Sequence, residues 1–362
     1  MKKIGLITIH NWFNYGSMLQ SYALNRVLNE IDGYECELID FTPASIVGNE
    51  RSWRLYSDVP EYQELRKKYK KEIVERRNVF QKFEELYKMG DMVYQSDEEI
   101  EKNPPAYDIY ITGSDQIWNV NFRIASRAYF LAFTDSQEKF AFSTSIGRCK
   151  KEPLEEYRRF MEQYKKIYIR EKAGAELLSE MFPEKEIGTL IDPTLMLEKS
   201  QWEELVDTQR ICEEEYIGCY ATLEEDLDKM MPILKYLYEK YNKKIILFGM
   251  ILPREEEWVE NLIVAGPLEF IRIIRDADLI LTNSYHGTLF SLMFQTPFFT
   301  FNDEFENPRK EGILRMVHQE KRMVHNLVEC QKALDDVIDF SMVRCILGQE
   351  REVALKKIKE VL

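Results

Sequence analysis

Along most of the chain, short apolar runs alternate with longer stretches in which apolar residues recur at helical spacing. Ile4 to Ile9 is an apolar run of the kind expected for a parallel strand buried on both faces. The loop from His10 to Gly16 is polar and aromatic, and Ser17 is placed to cap a helix carrying Leu19, Tyr22, Ala23 and Val27 on one side. Cys36 to Phe41 reads as the next strand, stopped by Thr42-Pro43. Strand, helix and strand within about 40 residues is the length that a crossover unit requires. Further strands are expected at Tyr107 to Thr112, Tyr129 to Phe133, Phe140 to Ser145, Lys166 to Ile169 and Gly188 to Ile191. A second alternation follows, with strands at Tyr216 to Tyr220, Lys244 to Phe248, Leu262 to Ala265 and Leu279 to Leu281. The pattern predicts an α/β protein of two doubly wound domains facing a cleft, residues 1–198 and 199–345. Residues 346–362, with Leu355, Ile358 and Leu362 at helical spacing, are expected to form a C-terminal helix that packs back on the first domain.

Residues 44–105 depart from this alternation. Tyr62, Leu65, Tyr69, Ile73, Phe80, Phe83 and Tyr87 form a helical stripe, which reads as a helical insertion in the first domain. The charged residues between Glu64 and Arg77 are mostly basic, and that face is either solvated or a peripheral contact with acidic lipid head groups or a partner. The whole chain is acidic, with a formal net charge of −14, which argues against a nucleic-acid partner. An anionic substrate must therefore meet a locally basic pocket. The six cysteines include no CxxC pair, so reduced thiols are expected rather than a zinc site or a disulfide framework. Four scattered histidines suggest no metal. The N-terminal apolar run is too short for a signal peptide, and no apolar stretch of about 18 residues is present, so a cytoplasmic protein is expected.

Most of the candidate chemistry lies between Asp276 and Phe299. A short strand, a polar turn from Thr282 to Gly287 and a helix follow one another there, and strand-to-helix turns are where open α/β sheets place ligands. His286 is the residue of that turn that titrates near neutrality. Its alternatives are a hydrogen-bonded histidine at a domain junction or a helix cap.

Five stretches carry a resemblance in one order: NYGSMLQSYAL from Asn14, YDIYITGSDQIWN from Tyr107, IRE from Ile169, DPTLML from Asp192 and ADLILTNSYHGTLFSLMF from Ala277. Together they resemble the polysaccharide pyruvyl transferase family over nearly the whole chain. The resemblance implies a glycosyltransferase-B-like fold of two Rossmann-like domains. It also implies transfer of a pyruvyl group from phosphoenolpyruvate to sugar hydroxyls, forming a ketal in surface polysaccharide biosynthesis. Phosphoenolpyruvate is then a donor substrate with no further cofactor, and the acceptor is a glycan or a lipid-linked oligosaccharide.

By family position His286 is the proton-transfer residue, since the enol carbon must be protonated and a hydroxyl deprotonated. Arg170, Ser284, Gly287 and Arg309 are the donor-binding candidates, because a carboxylate and a phosphate call for arginine forks and a helix start. For Arg170 and Arg309 a surface salt bridge is the alternative. Asn14, Gly16, Ser114, Asp115 and Gln116 are the acceptor-side candidates. Asp115 can instead cap a following helix, and Gln116 can tie loops together. One position departs from relatives, which carry an arginine two residues before the histidine where this chain has Ser284. Either Arg170, Arg309 or Lys310 takes over the phosphate, or the donor differs. The other readings are a nucleotide-sugar transferase and a non-catalytic sugar- or nucleotide-binding relative.

Overall fold

The computed structural model describes residues 1–43, 60–121, 125–249, 253–302 and 307–362. Strand β1 (Lys2–Ile7), helix α1 (Tyr15–Asn29) and strand β2 (Tyr34–Phe41) form the expected βαβ unit. Helices α2 (Pro60–Lys68) and α3 (Lys70–Glu84) precede β3 (Met89–Tyr94), α4 (Asp97–Lys102) and β4 (Ile109–Thr112). The first domain continues with β5 (Lys139–Thr144), α5 (Lys151–Leu154), α6 (Arg158–Met161), β6 (Lys166–Ile169), α7 (Lys172–Met181) and β7 (Ile187–Thr189). Two short helices, α8 (Pro193–Met196) and α9 (Lys199–Glu203), lead to the second domain. There β8 (Tyr216–Ala221), α10 (Glu224–Tyr241), β9 (Lys244–Gly249) and β10 (Val259–Leu262) come first. Helix α11 (Pro267–Asp276), β11 (Leu279–Thr282), α12 (Tyr285–Phe294), β12 (Phe298–Phe301) and α13 (Pro308–Met316) follow. The chain closes with β13 (Met323–Val324), α14 (Leu327–Ala333) and α15 (Phe340–Val361).

Among the described residues the first sheet runs β3-β2-β1-β4-β5-β6-β7 and the second β10-β9-β8-β11-β12-β13, with every pairing parallel. These are doubly wound sheets, as the apolar runs predict, and their central strands are buried on both faces.

Four local expectations need correction. Residues 44–105 are not a purely helical insertion, because β3 joins the first sheet as its edge strand. Its central residues are exposed, so it lacks the apolar run that marks the other strands. The part of the expected insertion at 44–59 lies outside the described residues. Tyr129 to Phe133 is not a strand; Arg127–Phe130 forms a 3₁₀ turn capped by Ser126. The last strand before α11 is Val259–Leu262, earlier than the expected Leu262 to Ala265. Asn14, not Ser17, caps α1, its side chain accepting the Ser17 N–H.

The boundary at 346 also falls inside a helix, since α15 begins at Phe340. That helix meets the first domain through Arg351 Nε to the Leu195 carbonyl (2.9 Å) and Lys357 Nζ to the Thr189 carbonyl (3.1 Å).

The two domains share one apolar core rather than touching at rims. Tyr15, at the start of α1, packs its ring 4.9 Å from Phe270, 5.3 Å from Tyr220 and 5.4 Å from Phe80, so one aromatic side chain joins both sheets to α3. Its hydroxyl donates to the Ala265 carbonyl at 2.9 Å and accepts from Arg76 Nη2 at 3.2 Å. Arg76 is buried and also reaches the Gly249 carbonyl. Part of the basic face of the insertion is therefore a tie between domains, not a solvated surface. Removing a ring of this kind costs on the order of 3–5 kcal/mol. Tyr15→Ala is expected to lower the urea midpoint accordingly; an unchanged midpoint means that Tyr15 does not hold the domains together.

Candidate active site

In each sheet the winding reverses beside the first strand, between β1 and β4 and between β8 and β11. A reversal of this kind leaves a crevice beyond the carboxyl ends of the strands, because the flanking connections diverge to opposite faces. Residues that follow those four strands line a single cavity of about 400 Å³, among them Asn14, Asp115, Thr222 and His286. The site is thus two switch points closed on each other.

The β11–α12 turn is built from its own side chains. Thr282 Oγ1 accepts the Ser284 N–H (3.0 Å), and Ser284 Oγ accepts the Gly287 N–H (3.3 Å) as the helix N-cap. His286 therefore enters the interface from a rigid helix start, with only 6% of its surface exposed. One edge of its ring lies against α1 of the other domain, where a Cβ built on Gly16 falls 2.0 Å from Nδ1. No side chain fits at position 16 while His286 stays in place. Its Nε2 lies 3.4 Å from Asp192 Oδ2, yet it is buried without a hydrogen-bond partner.

Asp192 links that histidine to a buried line of charge. Its Oδ1 accepts from the Thr194 N–H (3.0 Å) and Oγ1 (2.7 Å), which fixes the carboxylate plane. Its Oδ2 accepts from Arg170 Nη1 at 2.6 Å. Arg170 Nη2 continues to Asp115 Oδ1 at 3.4 Å, and Asp115 Oδ2 accepts from Ser17 Oγ at 2.6 Å. Asp115 holds a left-handed backbone (φ +68°), a region that aspartate tolerates better than most residues. Burial alone raises both carboxyls. For Asp192 the charges of His286 and Arg170 and the Thr194 N–H outweigh it and hold the acid well below the usual range. Asp115 is lowered likewise, against burial, by Arg170, His286 and the Ser17 hydroxyl.

Three further cations face the cavity, Arg148 from beyond β5 and Arg309 and Lys310 from the start of α13. The Arg309 guanidinium stands 5.6 Å from the centroid of the Tyr285 ring, whose face also carries Arg170 at 4.9 Å. Turned with its amide oxygen toward Arg309, Gln116 accepts from Nη1 at 3.0 Å and Nη2 at 3.2 Å. Among the described residues no carboxylate lies within ion-pair distance of Arg309. Burial and the neighbouring Arg170 lower its pKa. Beyond Tyr285 and Arg309 a second cavity of about 660 Å³ opens toward α7, α13 and α15, with Arg170 and Asp192 in its wall.

Of the expected residues, Asn14, Asp115, Gln116, Ser284, His286 and Arg309 meet in the smaller cavity. Three shape it from behind. Gly16 supports the histidine, Ser114 is wholly buried and bonded to the Ser143 carbonyl, and the Gly287 N–H is already taken by Ser284 while its α-carbon packs on Thr282. Arg170 is not at a surface; its guanidinium is 1% exposed and already carries two carboxylates. No helix follows Asp115, so it is not an N-cap. Asp192 was not among the expected site residues, because Asp-Pro after a strand reads simply as a stop and helix cap, which it also is.

The comparisons with known proteins fit this geometry. Residues 14–304 match the family model described as polysaccharide pyruvyl transferase. A search of curated proteins returns no match. Among solved structures, a UDP-N-acetylglucosamine 2-epimerase from Rickettsia bellii is similar at 14% identity and TM-score 0.58, over 100% of this chain and 96% of that chain. A putative UDP-N-acetylglucosamine 2-epimerase from Listeria monocytogenes gives 13% and 0.60 over 96% and 90%. The Neisseria meningitidis UDP-GlcNAc 2-epimerase bound to UDP-GlcNAc gives 12% and 0.54 over 100% and 99%. At these identities the likeness shows the fold alone, a glycosyltransferase-B-like pair of Rossmann-like domains.

Breaking a buried ion pair by removing one charge costs on the order of 3–5 kcal/mol. Because the folded-state pKa of Asp192 is depressed, its stabilisation is present above the ordinary carboxylate pKa of about 4 and is lost as pH falls through the folded value. Asp192→Asn is therefore expected to melt well below the parent at neutral pH, with the gap closing only in strong acid. A gap that stays constant down to acid unfolding shows that the loss is not one of charge.

Proposed function

The chain belongs to the polysaccharide pyruvyl transferase family, and from that premise we propose that it moves the pyruvyl group of phosphoenolpyruvate onto two hydroxyls of a sugar, as a ketal, in surface polysaccharide biosynthesis. The observation that carries the reading is a buried histidine, its Nε2 3.4 Å from the Asp192 carboxylate, in the same cavity as an arginine with no carboxylate within ion-pair distance among the described residues. An enol phosphate needs a proton delivered to carbon and a cation for its carboxylate or phosphate, and these two groups are the ones proposed to supply both.

The steps balance as follows. The His286 imidazolium protonates C3 of the donor, and C2 becomes electron-poor. The first sugar hydroxyl bonds to C2 and returns its proton to the imidazole. The C2–O bond to phosphate then breaks, the second hydroxyl bonds to C2, and its proton leaves on inorganic phosphate. Asp192, its acid held well below the usual range, stays ionised throughout and stands 3.4 Å from Nε2. Arg170, held by two carboxylates, fixes Asp192 and supports the Tyr285 face against which Arg309 lies. Arg309, held by the Gln116 amide rather than by a carboxylate, is the group that meets the donor anion. Asp115, Gln116 and Asn14, which line the cavity from the first domain, are the groups for the sugar hydroxyls.

The second reading, a nucleotide-sugar donor, is favoured by one observation. The solved structures of similar fold include proteins bound to UDP or UDP-GlcNAc. Thermal melting separates the two. A ligand at about 100 times its Kd stabilises the folded state by about 2.7 kcal/mol. Phosphoenolpyruvate is expected to raise the melting temperature, and Arg309→Gln to remove most of that rise without changing the melting of the unliganded protein. A rise with UDP-GlcNAc and none with phosphoenolpyruvate overturns the pyruvyl reading.

A further inference from the structure

Lys310 is a buried lysine for which the steps above give no role. Only 3% of its surface is exposed, and its side chain lines the smaller cavity beside Arg309. Its Nζ donates to two main-chain carbonyls, Phe301 at 2.8 Å and Asn283 at 3.2 Å. Those carbonyls lie at the carboxyl end of β12 and just beyond that of β11, so the ammonium is anchored one residue from Ser284, where α12 begins. Among the described residues no carboxylate is within ion-pair distance of it, and an ammonium has a third N–H to give. The charges that bear on it come from several elements. Asp226 on α10, whose carboxylate accepts from the Asn283 amide at 2.6 Å, and Glu311 favour its cation; Arg309 and Arg148 oppose it. Burial is the largest influence, and the net effect is a pKa pushed down to about 8. A cation kept in a cavity against its own desolvation gains most when an anion docks on it.

We propose that Lys310 is the phosphate anchor of this site, a tetrahedral dianion docking on Nζ in the corner between Asn283, Thr222 and Asn302 while Arg309 takes the carboxylate end of the donor. The assignment rests on the pyruvyl-donor reading for the identity of the donor, but not for the binding of the anion itself. It also accounts for Ser284. The turn needs no arginine, because a cation from α13 reaches the same place and the serine is left to cap the helix.

The test uses inorganic phosphate and sulfate with the whole chain, sulfate because its charge is constant across the pH range used. A charge-assisted hydrogen bond to an anion is worth enough that Lys310→Met should weaken both anions at least about tenfold at about pH 7, whereas Lys310→Arg keeps most of the binding. Sulfate affinity of the parent should fall between about pH 7 and about pH 9.5 as Lys310 loses its proton near about 8, and in Lys310→Met that dependence should be absent. Should Lys310→Met fail to fold, acetylation of the unaltered chain gives the same answer. Lys310 should be labelled slowly in the presence of sulfate and faster without it, as read by peptide mass. Unchanged anion affinity in a folded Lys310→Met, or equal labelling with and without sulfate, overturns the assignment. Sulfate protection without any binding of phosphoenolpyruvate leaves the anchor standing and removes the pyruvyl donor; the reverse pattern removes the anchor alone.

Discussion

One buried line of charge holds this site together. Asp115, Arg170 and Asp192 lie within the first domain, and His286 comes to them from the second. Each member alone is costly to bury, since an unpaired ion in a protein interior loses several kcal/mol of hydration. Arg170 offsets the two carboxylates beside it, and the full arrangement exists only while α12 is seated against α1. The contact of the His286 ring with Gly16 is the steric counterpart of that requirement. The histidine and its carboxylate are thus assembled by the packing of two domains rather than by one loop.

That packing follows from where apolar residues fall. Tyr15 opens α1 and sits among Phe80, Tyr220, Phe248 and Phe270, so the helix that carries Gly16 and Ser17 is tied to the second sheet by its first residue. Trp202, on the connection between domains, adds a ring 5.1 Å from Phe290 on α12. The cavity above this core is lined by polar side chains together with Ile9, Trp12 and Leu223. Arg309 and Lys310 reach it from one helix start, and Asn14, Asp115 and Gln116 reach it from the opposite domain. On the proposed reading, donor and acceptor are held from different domains and meet at the histidine.

How much of this was legible in the sequence depends on how local the cause was. Ile4 to Ile9 and Leu279 to Leu281 announced central strands because burial on both faces leaves a continuous apolar run. Met89–Tyr94 did not, since an exposed edge strand owes its shape to its neighbour β2 rather than to its own side chains. His286 was legible from its turn and from the resemblance. Asp192 was not, because its second role depends on Arg170 and His286, which reach it only in the folded chain. Gly16 looked like a ligand-facing glycine, and it is in fact the space that His286 occupies. The basic run before Arg77 looked like a solvated face, yet Arg76 is turned inward to Tyr15 and Gly249.

The central claim is that this site transfers a pyruvyl group, with the cross-domain histidine moving the proton. The most direct measurement follows inorganic phosphate and glycan mass together while the protein is incubated with phosphoenolpyruvate and a panel of glycans bearing neighbouring hydroxyls. The account predicts one phosphate released for each pyruvyl ketal gained by the glycan, with both lost in a His286→Ala variant whose circular dichroism remains that of the folded parent. A glycan that instead gains a sugar from a nucleotide-sugar donor, with phosphoenolpyruvate left intact, contradicts it.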